Sequence, residues 1–336
     1  MKPRLKPLDE QVLVVTGASS GIGLATARMA ARKGARVVLA ARGVEALDRA
    51  VDGIRSDGGV ARRVSADVTK PQDLERLAQT AITEFGCFDT WINCAAVAIY
   101  GRVDEVPLAD QRRLFETNFW GVVHGSLAAL PRLRSSGGAL INMGSMVSDV
   151  AIPLQGIYSA SKHAVKAYTN ALRLEVEAEG SPVSVTLIKP GAIDTPYFEH
   201  ARNYMDREPK PPPPVYAPDA VARAILRCAV HPVREVIVGG AARAMITAAS
   251  LSPRMADRVM ERTMFSAQKS DRPAGTEQSD NLYQPDAAGP RERGRYPGPV
   301  LQHSVYTSAV LHPARTMLAA AGVGLAVAAG MRALRD

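Results

Sequence analysis

V-L-V-V-T-G-A-S-S-G-I-G, residues 12–23, is the stretch that decides the fold. Val12 to Val15 form an apolar run short enough for a buried strand. The run enters a turn built on Gly17, Gly21 and Gly23, and a helical segment follows from Leu24 to Lys33. Gly34 closes that helix, and Val37 to Ala40 form a second apolar run. This is a βαβ opening. Glycines at a first βα turn let the backbone approach a pyrophosphate, while the helix N-terminus presents N–H donors and positive potential. The spacing is T-G-x-x-x-G-x-G rather than G-x-G-x-x-G. The strand before it and the helix after it supply the context such a motif requires.

The same alternation continues along the chain. Short apolar runs at 12–15, 37–40, 90–92, 139–142, 183–188 and 235–238 alternate with helical stretches. That pattern predicts an α/β fold, a doubly wound parallel sheet of Rossmann type. With 336 residues, the length fits one such domain plus a C-terminal extension. The domain is expected over 1–240, with a lid near 195–216, where the loop is long and carries the run Pro211 to Pro214. A helical extension is expected over 241–266, interrupted at Pro253. Residues 267–300 are rich in Pro, Gly, Ser, Gln and charge and read as a flexible linker. Residues 301–336 are expected to hold an apolar helix.

A chemical signature lies at Y-S-A-S-K, where Tyr158 and Lys162 stand four apart, with Ser145 thirteen residues upstream. An unperturbed tyrosine titrates near 10 and exchanges protons poorly at neutral pH. A lysine at i+4 shares its helix face and favours the phenolate. Such a pair suits proton exchange with a carbonyl or alcohol oxygen, to which Ser145 can hydrogen-bond.

With these segments in order, the chain resembles the short-chain dehydrogenase/reductase family over roughly residues 8 to 240. T-G-A-S-S-G-I-G at 16–23 resembles the family's coenzyme turn. The resemblance implies coenzyme contacts at Gly17, Ser19, Ser20, Gly21, Ile22 and Gly23. Asp67 in A-D-V-T is similar to the acid that contacts adenine, with Val68 beside it. N-C-A-A at 93–96 resembles the family's N-N-A-G, with Cys94 and Ala96 departing from it, and brings Asn93 and Ala95 to the coenzyme. P-G-A-I-D-T at 190–195 resembles the segment that closes over the nicotinamide, through Pro190, Gly191, Ile193 and Thr195. Ser145, Tyr158 and Lys162 match the catalytic trio, and Lys162 also holds the nicotinamide ribose. Asn118 in T-N-F-W-G matches the family's helix asparagine, which kinks its helix and positions a water relaying protons to Lys162.

Charge selects the coenzyme. An acid about twenty residues after the glycines accepts hydrogen bonds from the adenosine ribose and repels a 2′-phosphate, whereas an arginine does the opposite. The second strand ends A-A-R, with Ala41 in the acid's place and Arg42 next. Arginine suits bidentate phosphate recognition, so NADP(H) is expected. The candidate substrate region is mostly apolar: Val97, Ile99, Tyr100, Met146, Val147, Val150, Ile152, Leu154, Tyr197 and Phe198. A small hydrophobic carbonyl or alcohol is the expected substrate. The resemblance implies a homodimer or homotetramer joined through helices around Gln111–Leu133 and Tyr158–Glu177.

The net charge of +8 is spread without a long basic run, which argues against a nucleic-acid partner. Three cysteines without framework spacing suit a reducing, cytoplasmic compartment, and the six histidines form no metal-ligand spacing. Thr316 to Met331 is uncharged, between Arg315 and Arg332. At sixteen residues it is shorter than the roughly 20 of a spanning helix. Three readings stand for it: a docking helix, a membrane-associated segment, or a disordered tail.

Overall fold

The computed structural model describes residues 3–275, 280–285, 289–314 and 316–317. Val12–Thr16 (β1) runs through the glycine turn into Gly21–Arg32 (α1) and then Arg36–Ala41 (β2). Val44–Ser56 (α2), Val60–Ser65 (β3), Pro71–Phe85 (α3) and Thr90–Asn93 (β4) continue the alternation. After a short strand at Ile99–Tyr100 (β5), Leu108–Phe115 (α4) and Gly121–Ser136 (α5) form one long helix interrupted by a π-helical turn at Glu116–Trp120. Gly138–Met143 (β6), Gly156–Ala178 (α6) and Val183–Pro190 (β7) follow. Three short strands, Arg202–Asn203 (β8), Arg207–Pro209 (β9) and Val215–Tyr216 (β10), precede Pro218–Val230 (α7) and Glu235–Val238 (β11).

The central sheet has seven strands in the order β3-β2-β1-β4-β6-β7-β11. All its pairings are parallel. Strand periodicity divides β1 between two cores. Leu13 and Val15 face one layer with Leu24 of α1 and Val221 and Ile225 of α7. Val12 and Val14 face the other with Leu74 and Leu77 of α3 and Leu130 and Leu133 of α5. Burying each such side chain contributes about 1.5–3 kcal/mol. Helices on both faces explain why these strands read as continuous apolar runs rather than alternating ones. The doubly wound parallel sheet expected from the sequence is therefore present.

The extension departs from expectation. Gly240–Leu251 (α8) and Pro253–Ala267 (α9) form the helical part, parted at Pro253 as the sequence suggests. The stretch read as a flexible linker is folded back onto the domain wherever it is described. Lys269–Pro273 (β12) pairs antiparallel with β9, and Val300–Leu301 (β13) pairs parallel with β10. Val305–Leu311 (α10) follows, with Leu311 buried against the core of α1 and α7. The expected lid at 195–216 is thus stitched to the extension by two small sheets. Composition misled here because backbone pairing needs no apolar side chains, and the few apolar residues present are well used: Leu282 is 0% exposed. Of the expected helix at 301–336, residues 305–311 are helical, and most of Thr316 to Met331 lies outside the described residues. Among the described residues, no helix is long and apolar enough to cross a membrane.

Candidate active site

The glycine turn is shaped for close approach. Gly17 has φ +66°, and a Cβ there would stand 2.6 Å from the Ala95 Cα. A Cβ on Gly23 would stand 2.3 Å from the Gly17 carbonyl oxygen, so helix α1 can seat against the turn only without a side chain. The turn opens onto one continuous cleft at the carboxyl ends of the strands. It is lined by Gly17, Ser19, Ser20, Gly21, Ile22 and Gly23 of the turn, by Arg42, Asp67 and Val68 after β2 and β3, and by Ala95 after β4. Pro190, Gly191, Ile193 and Thr195 line it too, with Thr195 against Gly21, and so do Ser145, Tyr158 and Lys162.

Two expected site residues are placed otherwise. Asn93 points into the protein: its Oδ1 accepts from Trp91 Nε1 at 2.8 Å, and its Nδ2 donates to Asn142 Oδ1 at 2.8 Å. It ties β4 to β6 and α5, and does not line the cleft. Asn118 sits in the π-helical turn, fully buried, behind the cleft wall. Its Oδ1 accepts the Val97 N–H at 2.8 Å and its Nδ2 donates to the Val97 carbonyl at 3.0 Å. The distortion expected of its helix is present, and its amide is committed to the main chain of Val97.

The trio is held by local hydrogen bonds. Ser145 caps a short turn: its Oγ accepts the Val147 N–H at 3.3 Å, leaving the hydroxyl hydrogen for the cleft. Asp149, four residues on, pairs with Lys189 of β7 at 2.8 Å and with Lys166 of α6. That ion cluster fastens the end of the Ser145 turn to two elements. Tyr158 and Lys162 share a face of α6, with the Lys162 Nζ 5.7 Å from the tyrosine ring centroid. Lys162 donates to the Met143 carbonyl at 2.9 Å. Tyr197 stands edge-on to Tyr158, ring centroids 5.6 Å apart.

Burial dominates the electrostatics. It pulls the Lys162 ammonium down to about 8. It also pushes the Tyr158 phenol above its usual value, with hydrogen bonding to Tyr197 and Ser145 only partly offsetting it. The lowering expected from Lys162 is thus not realised, because desolvation of the phenolate is the largest influence on Tyr158. Cys94, which lines the cleft, has its thiol pushed up to about 12 by burial and carries no thiolate at neutral pH. Burial also opposes ionisation of Asp67, but hydrogen bonds from Thr69 and the charge of Arg113 prevail and hold its carboxyl below the ordinary range.

Seven of the ten apolar substrate-region residues line the cleft; Ile99, Val150 and Leu154 pack behind it. Sequence reasoning missed Gln155, His200, Pro212, Asn281 and Pro285, which also line it. Gln155 donates to both the Tyr100 hydroxyl and Gln268 Oε1, at 3.0 and 2.7 Å. Asn281 and Pro285 come from the extension, and no motif marks them.

A family model described as short chain dehydrogenase matches residues 11–206. The uncharacterized oxidoreductase YxnA of Bacillus subtilis is 46% identical over 326 residues, covering 96% of this chain and 91% of that protein. The similarity therefore runs through the extension. An alcohol dehydrogenase from the archaeon Thermococcus sibiricus, complexed with 5-hydroxy-NADP, superposes with TM-score 0.60 at 27% identity, covering 68% of this chain and 95% of that one. A short chain dehydrogenase/reductase from Burkholderia phymatum in complex with NAD gives TM-score 0.68 at 26% identity, covering 75% and 96%.

Proposed function

The chain belongs to the short-chain dehydrogenase family of oxidoreductases, and on that premise we propose that it moves hydride between NADP(H) and a small hydrophobic carbonyl or alcohol. One observation carries the reading: the glycine turn and the Ser145–Tyr158–Lys162 trio line a single cleft. The cleft fits a dinucleotide because the glycine turn, packed without side chains against Ala95 and its own Gly17 carbonyl, opens the α1 N-terminus onto the cleft, where N–H groups favour a pyrophosphate.

When bound, the coenzyme supplies the hydride in the reducing direction. The Ser145 hydroxyl donates a hydrogen bond to the substrate oxygen and orients it. Tyr158 gives its proton to that oxygen; its raised pKa keeps it protonated for this role. Lys162 keeps positive charge beside the ring and stabilises the phenolate left behind. Asn118 acts as a positioning residue, fixing the Val97 wall. Val97, Met146, Val147, Ile152 and Phe198 give the substrate end its apolar character.

NADP(H) rather than NAD(H) is supported by Ala41 and Arg42 at the end of β2, where the strand itself ends without an acid. Exposed Leu127 of α5 and Leu174 of α6 support a homodimer through these helices, which light scattering measures. The test of the coenzyme assignment is Arg42→Ala with both coenzymes. A charge-assisted phosphate contact is worth about 1.5–3 kcal/mol, so NADPH should weaken by about tenfold or more beyond any loss it shares with NADH. Equal weakening of both would remove the support for NADP(H). A carbonyl screen followed at the nicotinamide absorbance tests the reaction itself; turnover of no carbonyl or alcohol with either coenzyme would sink it.

A further inference from the structure

The extension crosses the coenzyme cleft in two passes. In the first, residues 280–285, four consecutive carbonyls gather on Arg42. Its Nη1 donates to Tyr283 O at 3.1 Å and Leu282 O at 3.5 Å. Its Nη2 donates to Gln284 O at 3.3 Å and to Asn281 O. Arg113 adds a bond to Leu282 O at 3.2 Å while pairing with Asp67. Outside the cleft this pass is anchored by Tyr283, whose hydroxyl donates to Asp110 at 2.7 Å, and by Asp280, paired with Arg202 at 2.6 Å.

The second pass, residues 289–296, runs along the opposite rim. The Gly21 N–H, at the α1 N-terminus, donates to Arg291 O at 2.8 Å. Glu292 pairs with Arg28 at 2.8 Å and Arg291 with Glu199 at 2.9 Å. Gly294 lies so close to Thr195 that a Cβ there would stand 2.6 Å from the Thr195 carbonyl oxygen. The two passes therefore touch the cleft at Arg42, Gly21 and Thr195, each a position assigned above to the coenzyme. Neither pass forms a hydrogen bond or ion pair with Ser145, Tyr158 or Lys162.

We propose that this strap is part of the coenzyme site: it roofs the bound dinucleotide, and its release controls coenzyme exchange. Asn281 and Pro285 line the same cleft as Arg42 and Asp67, so the strap contributes part of the cleft wall. Its outer anchors, Tyr283 on Asp110 and Glu292 on Arg28, are polar and peripheral, whereas Leu282 is buried with Leu114 and Val106, so lifting the first pass must withdraw that side chain from its seat. The proposal rests on the reading that a nicotinamide coenzyme occupies the cleft.

The test uses full-length protein and stopped-flow displacement of fluorescent NADPH by excess NADP⁺. The double variant Tyr283→Phe/Glu292→Gln removes two outer anchors and no group assigned to the coenzyme. It should release NADPH about tenfold faster, the scale set by one lost bond to a charged group. An unchanged release rate, in a variant with the wild-type circular dichroism and melting temperature, would overturn the proposal. Trypsin cleavage at Arg291, Arg293 or Arg295 gives a second readout. A roof over bound coenzyme is protected by NADPH. Faster cleavage with NADPH would mean that coenzyme displaces the strap, and would also overturn the proposal. Wild-type protein that binds neither NADPH nor NADH would instead fail the coenzyme reading on which it stands.

Discussion

The two ends of this chain meet at one cleft but reach it by different physics. At the N-terminal end, Gly17 to Gly23 form the turn through local constraints: a left-handed φ, a missing Cβ and a helix start within a few residues of each other. At the C-terminal end, the strap is placed by contacts that span the chain, such as Arg42 to Tyr283, 241 residues apart. The first kind of order is written in a motif. The second depends on a folded domain being there to receive it. The comparison teaches that catalytic chemistry and cleft closure are separable in sequence but joined in structure.

The sharpest way to test the core side is Tyr158→Phe. The ring keeps its shape against Tyr197 but loses the proton it donates. General acid catalysis contributes about 10²–10⁴-fold, so kcat should fall by that factor. Coenzyme affinity, which the proposed function assigns to the glycine turn and Arg42, should stay within a few-fold. A variant retaining a third of wild-type kcat would show that another group supplies the proton.

Legibility followed the same divide. Tyr158, Lys162 and Ser145 were readable because helix spacing and motif order place them, and all three line the cleft. Asn93 was not, because a motif fixes the backbone position but not where the side chain turns. Its amide satisfies the buried Trp91 and Asn142 groups instead. Arg42 was readable as a cation at the end of β2, but its four carbonyl partners were not, since they come from a segment whose Pro- and Gly-rich composition argues for a free linker. Tyr158 shows a third limit: its partner was legible, but the sign of its pKa shift was not, because burial depends on the whole cleft.

The extension side is broken most directly by Leu282→Ala. Leu282 is fully buried with Leu114 and Val106, and truncating such a side chain costs about 2–5 kcal/mol. If the strap folds as one unit with the domain, urea unfolding should keep a single transition at a clearly lower midpoint. The carbonyl turnover should survive, because Leu282 touches no catalytic group. A midpoint equal to wild type would mean that residues 280–285 open independently and that the extension is a flap.

The smallest expected effect lies where the two regions are electrostatically coupled to burial itself. In the unfolded chain Lys162 titrates near 10.5, whereas in the closed cleft it titrates at about 8. Below pH 8 it is charged in both states, and the folded state carries the cost of a buried ammonium. Between about pH 8 and 10.5 the unfolded state binds more protons, so Lys162 makes stability rise with pH. The rise is at most about 1.4 kcal/mol per pH unit. Cys94 and Cys228, each raised from 9.0 to about 12, act in the opposite sense above pH 9. The clean window is therefore pH 8 to 9. Lys162→Met should abolish the rise there, so its stability relative to wild type is greatest below pH 8 and shrinks across the window. Parallel stability curves for the two proteins would mean that Lys162 is solvated in solution, which requires it to leave the buried seat where it donates to the Met143 carbonyl.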